Sequence, residues 1–187
     1  MVKKLDLSNV QPSNGDGGFV PLPEGAYVCE IVSVIDNDAR EYLEVLFDIA
    51  EGEYTGYYSD EWGAAHPFAH SVKVSYKDSA LGMLKAKLNV LTASNPGFDA
   101  EAVFNAAADS PALLGMFNGR RFGVSVQLEY EDWQGKPLNN PRLDWGGAKW
   151  CNADEVRMGT VKPQKRDARH TPRAESTAAA AADVIPF

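Results

Sequence analysis

The sequence predicts a mainly β domain: five strands forming a barrel-like sheet, with helices inserted between the third and fourth. Three observations carry this. Apolar or alternating segments recur at 26–35, 41–49, 70–77, 120–132 and 141–150. Leucines at helical spacing fill the gap between the third and fourth of them. Gly, Pro, Asn and Asp clusters separate the segments.

Each element has its own reason. AYVCEIVSVI (26–35) follows the turn signal PLPEG and is rich in Val and Ile, which reads as a buried strand. Asp36-Asn37-Asp38 turns the chain into EYLEVLFDI (41–49). There Leu43, Val45, Phe47 and Ile49 share one face, while Tyr42, Glu44 and Asp48 share the other. In HSVKVSYK (70–77), Val72, Val74 and Tyr76 oppose Ser71, Lys73, Ser75 and Lys77.

Asp78 or Ser79 can then cap a helix whose stripe is Leu81, Leu84, Leu88 and Leu91. A short helix is expected over 99–108, and another between Ser110-Pro111 and Asn118-Gly119. In 120–132, Phe122, Val124, Val126, Leu128 and Tyr130 alternate as one long strand. A turn at 134–137 leads to a last strand, 141–150, whose Gly146-Gly147 pair suggests a bulge or a close backbone approach. Three strands, a helical region and two strands is the order of an OB-fold barrel.

Composition fixes the surroundings. The chain has 187 residues, 44% of them hydrophobic, and a net charge of −8. That is enough for one core, and it argues against a uniformly basic coat for duplex DNA. Residues 1–24 read as a flexible leader and 25–159 as the domain. From Thr160 to Phe187 the chain reads as a polar, then alanine-rich, disordered tail. The tail holds five basic residues against three acidic ones, so the domain carries the acidic excess. Cys29 and Cys151 suggest neither a metal pair nor a disulfide framework. The start lacks the apolar core of a signal peptide, and no run is long enough for a membrane span. A cytoplasmic protein is expected.

Catalytic signatures are missing. There is no G-x-x-x-x-G-K-[ST], G-x-G-x-x-G or G-x-S-x-G motif. His66 and His70 stand four apart, but Pro67 breaks the helix that would align them on a metal. A binding protein without cofactor or metal is expected, not an enzyme.

Single-stranded nucleic acid is held by aromatic rings under its bases and by Lys and Arg along its phosphates. Candidates away from the expected core are Tyr42, Tyr57, Tyr58, Trp62, Lys73, Lys77, Arg120, Arg121, Trp133, Lys136, Arg142, Trp145 and Lys149. Tyr54 and Trp150 lie among them. Trp145 and Trp150 fall on opposite faces of a regular strand, so at least one belongs to the core.

Two stretches carry a resemblance. The terminal Asp183-Val184-Ile185-Pro186-Phe187 resembles the end of bacterial single-stranded DNA-binding proteins, an acidic run followed by Ile-Pro-Phe. Here alanines precede a lone Asp183, and Val184 intervenes. The likeness implies that Asp183, Ile185, Pro186 and Phe187 recruit replication or recombination proteins. Residues 23–163, with "PEGAYVCEIVSV", "YLEVLFDIAEGEYTGYY", "FNGRRFGVSVQLEYEDWQGK" and "NADEVRMGTVKP", resemble phage-type single-stranded DNA-binding proteins. That implies a sequence-tolerant role in phage DNA replication, recombination or repair, possible homo-oligomers included. The alternative is a phage structural or assembly module that uses the same aromatics to bind protein.

Overall fold

The computed structural model describes residues 21–172, without the side chain of Trp62. Its centre is strand β1 (Gly25–Asn37), which pairs antiparallel with β2 (Tyr42–Ile49) on one side and β4 (Arg121–Val126) on the other. β3 (Ser71–Ser75) extends the sheet beyond β2, and β7 (Lys149–Cys151) extends it beyond β4. The order β3-β2-β1-β4-β7 is that of an OB-like barrel, here a curled half-barrel open between β3 and β7. A separate ribbon, β5 (Leu128–Glu131) with β6 (Pro137–Leu143), stands between the fourth and fifth barrel strands.

The alternation expected of β2 is present. Leu43, Val45, Phe47 and Ile49 are buried, and the residues between them are half-buried. Helix α2 (Leu81–Ser94) lays Leu84, Leu88 and Leu91 on this face against Ile31, Val34, Val45 and Phe117. Leu81 is exposed, not part of the stripe, because it begins the helix. A 3-10 turn over Asp78–Ala80 leads into α2, so neither Asp78 nor Ser79 caps it by side chain. Asp99 does cap α3 (Ala100–Ala107), accepting from the Ala102 N–H at 3.0 Å. The third expected helix is a 3-10 segment, Pro111–Phe117.

The long strand expected over 120–132 is two strands. Register runs from Glu30 opposite Arg121 to Gly25 opposite Val126, where β1 begins. Pro21 and Pro23 lie just before it and have no N–H to offer. Past Val126 the chain changes partners. Leu128 donates its N–H to Glu24, and β5 pairs with β6. The expected last strand likewise divides into β6 and β7. Between them Asp144 accepts from the Gly147 N–H at 2.9 Å, and a Cβ on Gly147 would fall 2.4 Å from its carboxylate. What approaches closely at Gly147 is the Asp144 side chain, not another backbone, and the pair lies in the turn between the two strands.

The tail expected from Thr160 is docked through residue 172. Gln127 donates to the Gln164 carbonyl at 3.1 Å, and Gln164 donates back to the Ser125 carbonyl. Arg166 pairs with Glu24, and Arg169 pairs with Glu129 and Asp144 at 3.3 Å each. His170 is buried with Nε2 3.1 Å from Asp144. Its Nδ1 lies 2.7 Å from Asp167, close enough for an ion pair but without hydrogen-bond alignment. Residues 1–20 of the expected leader and 173–187 of the tail, with Asp183, Ile185, Pro186 and Phe187, lie outside the described residues. Among the described residues, no helix is long and apolar enough to cross a membrane.

Helix α4 (Ala153–Arg157) covers the reverse face of β4 at Gly123. A Cβ there would lie 2.7 Å from Val156, 2.8 Å from the Asn152 carbonyl and 2.8 Å from the Cys151 sulfur. Gly123→Ala is expected to cost about 1–3 kcal/mol, because two of these three neighbours belong to one tightly packed turn. Urea unfolding should show a lower midpoint at an unchanged slope; an unchanged midpoint would mean that α4 can shift aside.

Candidate nucleic-acid interface

Two irregular parts of the chain meet beside the sheet: the loop 50–70 and the base of the β5–β6 ribbon. The loop is fixed from beneath by Asp48, whose carboxylate accepts from the Ile49 N–H at 2.7 Å and the Tyr58 N–H at 2.9 Å. Tyr58 stacks on His70 at 4.7 Å between centroids and accepts the Trp145 indole N–H at 3.2 Å. Helix α1 (Glu61–Ala65) follows, with Asp60 accepting from the Gly63 N–H at 2.8 Å. Gly63 passes directly over the Tyr58 main chain, and a Cβ there would sit 2.0 Å from the Tyr58 carbonyl. The loop then presents Phe68, 77% exposed.

The ribbon turns at Asp132–Lys136. One Asp132 oxygen accepts the N–H groups of Gln134 and Lys136, both at 2.8 Å, and Gly135 takes the left-handed conformation at φ 77°. This preformed turn holds Trp133 away from the body, 80% exposed. Lower on the ribbon, Glu129 is buried and accepts from Arg142 at 3.2 Å and from Arg169 at 3.3 Å. Arg142 pairs with the buried Glu129 yet still reaches solvent, which leaves the guanidinium accessible.

Loop and ribbon enclose a groove of about 590 Å³ lined by Tyr57, His66, Phe68, Leu128, Arg142 and Leu143. It offers ring faces, an apolar floor and a cation. That set suits a flat aromatic group attached to an anion.

The structure brings together only some of the expected residues. Tyr57 and Arg142 line the groove; Trp133 and Lys136 are exposed at the ribbon tip. Tyr42 and Lys73 lie on the reverse face of the sheet, the ammonium 5.3 Å from the ring, with Lys77 exposed just beyond β3. Lys149 is exposed on β7.

Others are placed where they serve the fold. Tyr58 and Trp145 also line the groove but are almost wholly buried: both pack on Phe47 and bond to each other, so their rings serve mainly the core. Trp145 is thus the tryptophan of the 145/150 pair that belongs to the core, although it lies in the turn before β7 and not on a strand face. Arg121 is held by Glu30 and Glu51, and Arg120 lies over Phe98 at 4.2 Å. Trp150 stacks on Phe122 at 4.1 Å. The Trp62 side chain lies outside the described atoms. Phe68 escaped the sequence reading, and His66 was weighed there only as a metal ligand; the available signal for Phe68 was an apolar ring in a Gly/Ala/Pro-rich loop that no periodicity claims.

His70 is not turned toward His66. Its ring nitrogens face the Phe47 carbonyl at 2.6 Å and the Gly63 carbonyl at 3.2 Å. Among the described residues, no three of His, Cys, Asp or Glu converge as a metal site.

Burial sets the charge states. It pushes the Tyr58 phenol well up, with Tyr57 and Asp48 adding to it against the Trp145 hydrogen bond. It pushes Tyr27 up to about 12, and both cysteine thiols up as well. The hydrogen bond from Arg157, then the charges of Arg157 and Arg121, hold Glu51 below the usual carboxylate range. Burial lowers Lys87.

No protein-family model matches the chain, and neither does any curated protein.

The raised tyrosines fix a pH dependence. The folded protein keeps Tyr27 protonated to about pH 12, whereas an unfolded chain releases that proton near 10. Above 10 the unfolded state therefore binds fewer protons, and deprotonation draws the equilibrium toward it. Tyr58 acts in the same direction. Unfolding free energy from urea titrations should begin to fall near pH 9, where the unfolded thiols of Cys29 and Cys151 ionise, and fall further between 10 and 12 as the phenols follow. A flat profile across that window would mean that these phenols are open to water.

Proposed function

We propose that this protein binds single-stranded DNA without marked sequence preference, in phage DNA replication, recombination or repair. The observation that carries the reading is an aromatic, arginine-bearing groove beside an OB-like half-barrel, between two loops that flank its strands. The resemblance of residues 23–163 to phage-type single-stranded DNA-binding proteins supports it. The role is non-catalytic. Bases stack on Phe68, Tyr57 and Trp133, while Arg142 and Lys136 meet phosphates. Stacking needs only a π-face, which every base has, so sequence is tolerated.

A second reading is a phage assembly module. Val32 and Ile35 favour it, since both are more than half exposed on the reverse side of β1 near its bulge. Such a module would form homo-oligomers through this face and retain no oligonucleotide.

Titration of fluorescent oligo-dT and of duplex DNA at several salt concentrations separates the two. Oligo-dT should bind more tightly than duplex at low salt; absence of that preference would remove the reading. Phe68→Ala and Trp133→Ala should each weaken oligo-dT binding by about 1–3 kcal/mol, or roughly 5- to 150-fold, with unfolding midpoints unchanged.

The resemblance of the terminal tip carries a separate expectation. Removing Asp183–Phe187 should leave oligo-dT affinity unchanged or slightly tighter, while capture of a replication or recombination partner is lost. Retained capture in a pull-down would assign recruitment to another surface.

A further inference from the structure

A second groove, of about 680 Å³, lies on the β7 side of the half-barrel. Its walls are α2 at Asn89 and Val90, the edge strand at Lys149 and Trp150, and the docked segment at Thr160 and Lys162. Trp150 is not free to stack on a base. Phe122 covers it at 4.1 Å, and the Lys87 ammonium sits over the ring at 4.7 Å. What this groove offers is cations.

Those cations differ in one respect from five of the arginines. Arg121, Arg142, Arg157, Arg166 and Arg169 are each ion-paired to a carboxylate. Lys149, Lys162 and Lys165 are exposed, and none has a carboxylate partner among the described residues. Glu155 is the acidic residue that also lines the groove. Lys149 and Lys162 line this groove, and Lys165 follows on the same docked segment. Each can exchange its hydration and counterions for a phosphate of an anionic ligand.

The docked segment joins the two grooves. It starts as a wall of the basic groove at Thr160–Lys162, and Gln164 pins it to Ser125 and Gln127. It ends with Arg169 and His170 against Glu129 and Asp144, which also line the aromatic groove. Lys162 and Lys165 stand along the way.

We infer that residues 160–172 are part of the single-stranded DNA site. The strand's phosphates run from the aromatic groove along this segment, past Lys165 and Lys162, to Lys149. This rests on the single-stranded DNA reading and extends it: the segment is a binding wall, not a tether.

The test uses the full-length chain with Lys149, Lys162 and Lys165 all replaced by Gln. Oligo-dT of two lengths is titrated from low to moderate salt, one filling only the aromatic groove and one long enough to reach β7. Three lost phosphate contacts should reduce the salt slope for the long oligonucleotide by about two, since each contact contributes about 0.7 on a single strand. Its affinity at low salt should fall at least about tenfold, while the short oligonucleotide should be affected little. Phe68→Ala is the converse control. It should weaken both lengths and leave the slope alone.

If the triple variant binds long oligo-dT with the wild-type slope and affinity, this inference is overturned and the single-stranded DNA reading stands. If the wild type binds neither oligonucleotide, both fall. The three lysines are exposed and unpaired, so the variant's urea midpoint should match the wild type. A lowered midpoint together with equal losses at both lengths would also overturn the inference.

Discussion

Phe47 is the residue on which the arrangement depends. It is almost wholly buried on the core face of β2, and four aromatic partners contact it edge-on: Tyr58, His70, Phe122 and Trp145. They come from three different parts of the chain. Tyr58 and His70 belong to the loop 50–70, Phe122 to β4, and Trp145 to the turn that follows the ribbon. The ring thus fastens both walls of the aromatic groove to the sheet at one point. Edge-to-face packing adds direction to the apolar burial, so the walls are set in angle as well as distance. Its main-chain carbonyl also meets His70 at 2.6 Å. A groove formed by two irregular segments keeps its shape because both are anchored to the same buried ring.

Charge is divided between two tasks. The arginines act as staples between segments far apart in sequence: Arg157 reaches Glu51, Arg166 reaches Glu24, and Arg169 spans Glu129 and Asp144. Their planar forks suit bidentate contact. The lysines at 149, 162 and 165 make no such pair among the described residues. Net charge alone would suggest a protein that repels nucleic acid. Local pairing shows that many carboxylates are already neutralised, which leaves a basic edge on an acidic body.

What the sequence made legible follows from what leaves a periodic trace. Leu43 to Ile49 alternate because one face of β2 is buried and the other is not. Leu84, Leu88 and Leu91 repeat because α2 covers the same core. The break at Gln127 left no trace, since it depends on where another strand, β1, begins. The docking of 160–172 was equally hidden. It is held by Gln164, Arg166, Arg169 and His170, and polar fastening has the same composition as a solvated linker. The depth of Tyr58 and Trp145 left no trace either, because their burial comes from neighbours across the fold. Phe68 was overlooked because a loop residue has no face to assign.

The ribbon leaves and re-enters the barrel at almost one point. The Asp144 N–H meets the Gln127 carbonyl at 3.0 Å, so the excursion from 128 to 143 is closed at its neck by a main-chain hydrogen bond. Beyond Glu129 and Arg142, which tie its base to the groove and the docked segment, the ribbon is topologically a side branch. Its length, sequence and tip residue could change across lineages, or be exchanged by an engineer, while β4 and β7 keep their register; lengthening such a loop costs only slowly growing closure entropy. The part of the molecule that presents Trp133 is thereby the part most free to diversify.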